Sequence, residues 1–256
     1  MNLVIGPGGM GIYAFLGSIS CIGLDNISEV SGASAGAILG LFICTGKTIE
    51  EITECCFDID LKELSSLNIA SFIMNFGFIP HGPIKKVLKD FCGDPTFKDL
   101  SKKLYVTAFC VNRSETEYFS VDTHPDMSVI DAVYMSISVP FLFETIKYNT
   151  YTYLDGGSRE SVPVMAFMNK EPDSVLILKL EDNREHVPEI LDLKSFIQSL
   201  VSVAIESRVT ISTFSKTVSI DMSDSNIFDF LMSHEDKMKL FVRGYQVTLS
   251  HLGSFK

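Results

Sequence analysis

The heptapeptide Val30 to Gly36, Val-Ser-Gly-Ala-Ser-Ala-Gly, constrains this chain most, because it places Ser34 between a strand-like run and a helix-like run. In a Gly-x-Ser-x-Gly turn the serine is held in a strained conformation that points its hydroxyl out of the sheet, and its neighbours must be small. Residues 27–30 predict a short buried strand, and residues 37–44 predict a helix that is apolar on all sides. We therefore interpret Ser34 as a candidate nucleophile. The alternative is a small-residue turn without chemistry.

A glycine-rich loop lies one strand and one helix earlier. Leu3 to Ile5 predict a strand that opens into Gly6-Pro7-Gly8-Gly9-Met10-Gly11, and residues 12–22 predict a helix. Two such units in succession make adjacent parallel strands through a right-handed crossover. We expect the loops at 6–11 and 32–36 to emerge together at the carboxyl edge of one sheet, where open α/β sheets bind ligands.

The glycine loop fits two kinds of site, of which the first binds nucleotides. The spacing Gly6-x-Gly8-x-x-Gly11 satisfies the dinucleotide-binding fingerprint, which also needs an acidic residue at the end of the second strand, about 20 residues on, to hold a ribose hydroxyl. Asp25 and Glu29 lie in that range, but the strand near them ends in the Ser34 turn. The turn therefore occupies the place where the ribose would bind.

The second kind of site is an oxyanion hole. Its donors would be the backbone N–H groups of Gly8, Gly9 and Met10, facing Ser34. An ester carbonyl under attack develops negative charge on its oxygen, and fixed N–H donors at a helix N-terminus stabilise that charge. Glycine is needed because the backbone must approach the substrate with no side chain in the way.

A nucleophilic serine needs a base, and the first candidates are histidines. The chain has five: His81, His124, His186, His234 and His251. A histidine triad on an α/β-hydrolase fold places the serine after several strands, whereas here the serine comes after the second predicted strand. Too few strands precede Ser34 for an ordinary α/β-hydrolase fold, although any one histidine stays a candidate base.

Asp155 is the better candidate base. It ends a predicted strand, and Gly156-Gly157 follow it. Free aspartate has a pKa of ~3.9 and is a weak base, but in a dry pocket beside the serine hydroxyl its proton affinity rises. The alternative is an Asp-Gly turn without a catalytic role.

Together and in this order, these segments resemble the patatin-like phospholipase family. The glycine loop, the Ser34 turn and Asp155-Gly156-Gly157 are each similar to a family motif, and Met135 to Pro140, Met-Ser-Ile-Ser-Val-Pro, is similar to a serine-rich family stretch that precedes a proline. The motif glycines are Gly6, Gly11, Gly32, Gly36, Gly156 and Gly157. The resemblance covers residues 3–165.

The resemblance implies a fold and an activity. The fold is a three-layer α/β sandwich with a mostly parallel central sheet. The activity is that of a phospholipase A-type lipid acyl hydrolase, with Ser34 as nucleophile, Asp155 as base and the backbone of residues 8–10 as oxyanion hole. It requires no metal, no cofactor and no histidine, and it leaves hydrolysis and transacylation as alternatives.

Two residues depart from the family pattern. Pro7 stands where a glycine is usual, and Met10 stands where an arginine or lysine is usual. Proline removes one N–H donor, and methionine removes a positive charge. A catalytically silent lipid-binding relative is therefore an alternative function.

The rest of the chain predicts further elements of a single domain, 1–256. Residues 48–80 are helix-like, and the apolar run Leu67 to Ile79 is interpreted as core helix, with an acyl pocket or interfacial lid as the alternative. Ser128 and Asp131 predict a capping box. The predicted strands are 104–110, 116–121 and 174–178, together with a hairpin of 141–146 and 150–154. Two C-terminal helices, 192–214 and 233–249, are predicted within residues 192–251, and we expect both to pack on the same domain.

Composition and charge narrow the partners and the location. With 46% hydrophobic residues and a net charge of −11, the chain is typical of a globular protein without a basic surface for nucleic acid or anionic membrane. We expect six free cysteine thiols, no signal peptide, no membrane span, a cytoplasmic location, and only transient hydrophobic contact with a membrane that carries the lipid substrate.

Overall fold

The computed structural model describes residues 1–59, 68–80, 82–182, 196 and 216–253. The strands are β1 (Asn2–Ile5), β2 (Glu29–Gly32), β3 (Gly77–Ile79), β4 (Lys103–Cys110), β5 (Glu115–Phe119), β6 (Phe141–Phe143), β7 (Ile146–Tyr148), β8 (Tyr151–Asp155), β9 (Val175–Glu181) and β10 (Lys216–Asp221). The helices are α1 (Ile12–Ile22), α2 (Ala35–Cys44), α3 (Ile49–Asp58), α4 (Ile69–Asn75), α5 (Gly82–Cys92), α6 (Val129–Ser136) and α7 (His234–Gly253).

The central sheet is mostly parallel, as predicted. Its strand order is β10-β9-β1-β2-β4-β8-β7, and β5 also pairs with β4. The five strands from β10 to β4 are parallel, while β5, β8 and β7 pair antiparallel with their neighbours. A separate small sheet pairs β3 with β6. The α/β class is confirmed, and the antiparallel strands lie at one end of the sheet.

Apolar side chains cover both faces of the sheet. On β1, Leu3 and Ile5 belong to the main core, while Val4 packs on the opposite face with Ile177 and Phe167. Side chains alternate between the two faces of a strand. A strand buried on both faces therefore has a continuous apolar sequence, as Leu3 to Ile5 has.

The first two strand-helix units form close to where the sequence predicts them. The helix over 12–22 is α1, which ends at Gly23 with a φ of 80°. The second strand is Glu29–Gly32 rather than 27–30, because a 3-10 turn at 24–26 delays its start. The second helix begins at Ala35 rather than at residue 37, directly after Ser34.

The predicted hairpin was wrong in its first strand. Residues 141–143 form β6 and pair with β3, and the true partner of β8 is β7, residues 146–148. The intervening backbone explains the split, since the Glu144 N–H donates to the Ile79 carbonyl at 3.0 Å and the Thr145 N–H donates to the Asn75 carbonyl at 2.9 Å. These bonds direct the chain toward β3 before it turns back to β8.

The predicted capping box at Ser128 was also wrong. Helix α6 does begin after Ser128, but this side chain makes no cap bond. Its hydroxyl donates to Asp94 at 2.5 Å, and Asp131 pairs with Lys85 at 3.1 Å. Tertiary partners therefore replace the local cap.

The region 48–80 is not continuously helical. It contains α3, α4 and β3, while residues 60–67, including Leu67, lie outside the described residues. Phe78 and Ile79 are buried, as a core interpretation requires, but Ile69, Ile73, Met74 and Phe76 are exposed. The core interpretation of this run is therefore wrong for those four side chains.

The C-terminal part contains one element that the sequence pattern did not predict. Strand β10 adds to the edge of the sheet beside β9, which covers 175–181 rather than 174–178. The last helix is α7, close to the predicted 233–249, and the predicted helix over 192–214 lies outside the described residues. Over the ranges described, no helix combines the length and apolar composition needed to cross a membrane.

Candidate active site

Ser34 lies in a strained turn between β2 and α2. Its φ of 54° and ψ of −120° fall in a region that residues with a side chain rarely adopt. It occupies the N-cap position of α2, yet its hydroxyl makes no cap bond, and the residue is 6% exposed. The strain therefore directs the hydroxyl away from the helix backbone, which is the geometry of a nucleophile elbow.

The two motif glycines around Ser34 are required by close backbone approach. A Cβ at Gly32 would lie 2.4 Å from the Gly36 carbonyl oxygen, and a Cβ at Gly36 would lie 2.3 Å from the Ile5 oxygen and 2.9 Å from the Gly6 oxygen. Both contacts are with backbone, which cannot move aside as a side chain can. The turn thus packs directly against the end of β1 and the start of the glycine loop.

Asp155 reaches the same edge of the sheet from the opposite direction. Strand β4 extends past the end of β2, with Val106 opposite Gly32 and Ala108 opposite Asp155. Because β8 runs antiparallel to β4, its last residue lies two β4 positions beyond the end of β2. The register therefore places Asp155 level with the Ser34 turn.

The Asp155 carboxyl is fully buried and only partly satisfied. Its Oδ1 accepts the Gly157 N–H at 2.7 Å, so the predicted Asp-Gly turn is present as well. Within the described residues, Oδ2 has no partner that meets hydrogen-bond geometry. One carboxyl oxygen thus holds the turn, while the other makes no hydrogen bond of that quality.

The pKa of Asp155 is raised from its ordinary 3.8 to about 7. Burial is the main cause, because a charged carboxylate loses its hydration. The Ser34 hydroxyl and the Gly157 N–H act in the opposite direction, since both stabilise the carboxylate. A carboxyl with a pKa near neutrality beside a serine hydroxyl is suited to accept a proton from it.

The C-terminal end of α6 supports both residues, which sequence reasoning did not predict. The Ser34 N–H donates to the Ser136 hydroxyl at 2.9 Å, and the Asp155 N–H donates to the Ser138 carbonyl at 2.9 Å. The similarity of residues 135–140 to a family motif was the only sequence signal, and it assigned no function to either serine. A single short segment therefore contacts both the candidate nucleophile and the candidate base.

The glycine loop packs against both neighbouring segments. A Cβ at Gly157 would lie 2.6 Å from Cγ of Pro7, so the loop contacts the turn after Asp155. Gly9 has a φ of 50° and faces the Ile227 carbonyl. This carbonyl accepts the Met10 N–H at 2.8 Å. One of the three predicted oxyanion donors is therefore engaged within the chain, by a residue that no sequence signal indicated.

The described histidines lie in other surroundings. His124 packs on Phe119, and His234 packs on Phe57. His251 is near the C-terminal end of α7. His81 and His186 lie outside the described residues. Ser34 instead has its N–H bonded to the Ser136 hydroxyl, and its own hydroxyl lowers the pKa of Asp155.

The nucleotide-binding alternative requires an acidic residue at the carboxyl end of β2, and neither candidate lies there. Glu29 begins β2 instead of ending it, and it pairs with Lys170 at 2.5 Å. Asp25 lies in the 3-10 turn before β2. At the carboxyl end of β2 the chain enters the Ser34 turn, so neither carboxylate is placed to hold a ribose at that edge.

Comparison with known proteins identifies the family. A family model described as patatin-like phospholipase matches residues 3–168. The chain belongs to the patatin-like phospholipase family. The match begins at the residue where the motif resemblance begins and extends three residues past its end.

Two curated relatives of this patatin-like chain are viral. An uncharacterized protein of Acanthamoeba polyphaga mimivirus is 26% identical over 222 residues, which cover 80% of this chain and 74% of that protein. A probable lipid hydrolase of Invertebrate iridescent virus 6 is 29% identical over 179 residues, which cover 64% of this chain and 61% of that protein.

Two solved structures share the fold. VipD from Legionella pneumophila has a TM-score of 0.68 at 18% identity, and the match covers 99% of this chain and 66% of VipD. The type III effector ExoU has a TM-score of 0.57 at 18% identity, and the match covers 99% of this chain and 52% of ExoU. The patatin-like chain thus spans about two thirds of the first protein and about half of the second.

Proposed function

We propose that this patatin-like protein is a phospholipase A-type lipid acyl hydrolase that works through a Ser34–Asp155 dyad. The observation that carries the proposal is the Asp155 carboxyl: it is buried, its Oδ2 makes no hydrogen bond of good geometry within the described residues, and its pKa is raised to about 7 by burial even though the Ser34 hydroxyl lowers it. The family assignment and the relative named as a probable lipid hydrolase support a lipid as substrate.

The proposed reaction has two halves. Asp155 accepts the proton of the Ser34 hydroxyl as Oγ attacks the carbonyl carbon of the ester, giving a tetrahedral intermediate. When the intermediate collapses, the C–O bond to the alcohol breaks and the alcohol leaves with the proton from Asp155. Water, or another alcohol in transacylation, then attacks the acyl-Ser34 ester with Asp155 again as base. The bond between the acyl carbon and Ser34 Oγ breaks, Asp155 returns the proton to Oγ, and the carboxylic acid or the new ester leaves. Neither half requires a metal or a cofactor.

We assign the oxyanion hole to the backbone N–H groups of Gly8 and Gly9. Met10 was a third predicted donor, but its N–H is bonded to Ile227, and Pro7 has no N–H to give. A donor aimed at a developing oxyanion contributes about 3 kcal/mol to the transition state. Gly8 and Gly9 would then be the two donors of the hole.

The loss of N–H donors in the glycine loop favours a second candidate function. With Pro7 lacking an N–H and the Met10 N–H engaged, the hole has fewer donors than the sequence motif offers. Such a loss would produce a protein that binds lipid without turnover.

The proposal also includes a single-domain organisation over 1–256 and a cytoplasmic location.

A fluorophosphonate probe and a p-nitrophenyl ester separate these functions. We expect the probe to label the wild-type protein and the ester to be hydrolysed, and we expect the variant Ser34→Ala to lose both signals. A folded wild-type protein that binds lipid but gives neither signal would support the silent relative. Tight binding of NAD or FAD without labelling would instead support nucleotide binding.

The rate of labelling and turnover should depend on pH. Because Asp155 must be unprotonated to act as a base and its pKa is about 7, kcat/KM is expected to rise about tenfold per pH unit below 7 and to level off above it. A histidine base would titrate in a similar range, so the profile is measured at several temperatures. A carboxyl ionises with little heat and its apparent pKa stays constant, whereas the pKa of an imidazole falls on warming. A temperature-dependent midpoint would contradict the dyad.

A further inference from the structure

Five large apolar side chains on α4 and the small sheet are exposed. Ile69, Ile73 and Met74 are 69%, 69% and 75% exposed, and Phe76 and Phe141 are 58% and 47% exposed. We call these five side chains the α4 patch. Phe141 lies opposite Gly77 in the small sheet, so the two phenylalanines are neighbours in space. Large apolar side chains clustered on a surface indicate an interaction site.

Both phenylalanines of the patch adopt a backbone conformation that is unfavourable for them. Phe76 has a φ of 60° and Phe141 a φ of 64°. For a bulky residue this left-handed region is a genuine outlier, and glycine or asparagine would be more stable there. Strain of this kind persists at functional sites. Two exposed, strained phenylalanines in one small sheet therefore favour a function for the patch.

Hydrogen bonds hold the patch in place. Glu144 Oε1 accepts the Asn75 side-chain amide at 2.8 Å and lies 2.8 Å from the Ser71 hydroxyl. The ring of Phe72 stacks on Phe78 with centroids 4.4 Å apart. The exposed side chains thus project from a preformed support, so a partner would meet them without an ordering step.

The patch is joined to the candidate active site by a short stretch of chain. The Ser138 carbonyl accepts the Asp155 N–H, and Phe141 follows only three residues later. On the other side, Ile227 packs in the cluster beneath the patch while its carbonyl accepts the Met10 N–H of the glycine loop. The segments that carry the patch are therefore bonded to, or packed on, segments that contact the candidate active site.

The charges select the kind of partner. Residues 68–80 contain no Asp, Glu, Lys or Arg, and the whole chain has a net charge of −11. An uncharged apolar surface on an acidic protein is attracted to a hydrocarbon interface and repelled by anionic head groups. A zwitterionic lipid surface matches both properties.

We propose that the α4 patch docks the protein on zwitterionic lipid surfaces and so delivers bilayer lipid to Ser34. This inference rests on the proposed hydrolase function for its purpose, but the docking itself is independent of catalysis. The patch side chains enter the interface, and the short chain connection from Phe141 to the Ser138 carbonyl that binds Asp155 keeps the reacting groups near it.

Binding is tested with the catalytically inactive Ser34→Ala protein and phosphatidylcholine vesicles in a sedimentation assay. The patch variant additionally carries Ile73→Ser, Met74→Ser and Phe76→Asn; its matched control carries Val111→Ser, Met165→Ser and Met168→Ser, which alter exposed apolar residues elsewhere. We expect the partition coefficient to fall at least tenfold in the patch variant and about twofold or less in the control. Adding phosphatidylglycerol to the vesicles should weaken binding of the parent protein.

Stability and soluble-substrate measurements separate docking from folding and from catalysis. Phe76→Asn alone is expected to raise the melting temperature by about 2–4 °C, because it relieves the strained φ. With Ser34 intact, the patch variant should hydrolyse a soluble p-nitrophenyl ester like the wild type and lose turnover on vesicles. Absent ester turnover in the wild type would refute the proposed function but leave the sedimentation result valid. Equal binding by patch variant and control, or binding that requires anionic lipid, would overturn the docking proposal.

Discussion

Replacing Asp155 by asparagine is expected to lower turnover about a hundredfold to ten-thousandfold, the range that a positioned general base contributes. The substitution preserves shape, and the amide oxygen can still accept the Gly157 N–H that Oδ1 accepts now. The loss should appear in kcat/KM for a p-nitrophenyl ester and in the rate of fluorophosphonate labelling alike. Neither rate should retain the dependence on pH near 7.

The same substitution should stabilise the protein at high pH. Because the pKa of Asp155 is raised in the folded state, its contribution to stability is fully present below its unfolded pKa and is lost as pH rises through about 7. Asparagine does not titrate. The difference in unfolding free energy between variant and wild type is therefore expected to grow by about 2 to 3 kcal/mol from pH 5 to pH 8.

Urea titrations of both proteins at pH 5 and pH 8 measure this effect. Asp94 provides a matched control, because its hydrogen bonds with Lys89 and Ser128 lower its pKa. An Asp94→Asn variant should not gain stability as pH rises. If Asp155→Asn were inactive and also less stable at pH 8, Asp155 would be a structural turn residue and the dyad would be rejected.

Replacing Gly36 by alanine is expected to destabilise the fold by about 3 kcal/mol and to remove activity. The new methyl group would lie 2.3 Å from the Ile5 carbonyl oxygen and 2.9 Å from the Gly6 oxygen. The Ile5 carbonyl also accepts the Ala33 N–H at 3.1 Å, so relieving the clash would disturb that bond. The Ser34 turn and the glycine loop would separate, and a misplacement of 1 Å already lowers rates by about a hundredfold.

Gly82→Ala is the matched control, since nothing lies within 4 Å of a Cβ built at that residue. It begins α5, where alanine is a better helix former than glycine by up to ~1 kcal/mol. Thermal unfolding and fluorophosphonate labelling of both variants make the comparison. Wild-type labelling by Gly36→Ala would show that the close approach of turn and loop is not needed for the site.

The parts of this site that were predictable from sequence are those with local causes. The helix over 12–22 and the elbow at Ser34 follow from the spacing of apolar and glycine residues within short windows. Asp155 was found because it ends a strand and precedes two glycines. Each of these signals is complete within about ten residues of chain.

The parts that were not predictable depend on partners distant in sequence. Nothing in residues 151–155 indicates that β8 runs antiparallel to β4, and the Ile227 carbonyl reaches Met10 only through the packing of the C-terminal half. The exposure of Ile73 and Met74 was missed for a related reason, because apolar periodicity indicates a helix face but not whether that face is covered.

The antiparallel pairing of β8 with β4 has a consequence during synthesis. The Ser34 turn directly follows the second strand, but Asp155 joins it only after β4 and β8 have paired across residues 111–150, which contain β5, α6, β6 and β7. Contacts of such sequence separation form late. A nascent or partly folded chain would therefore carry Ser34 without its proposed base, and the proposed dyad would assemble only as folding is completed.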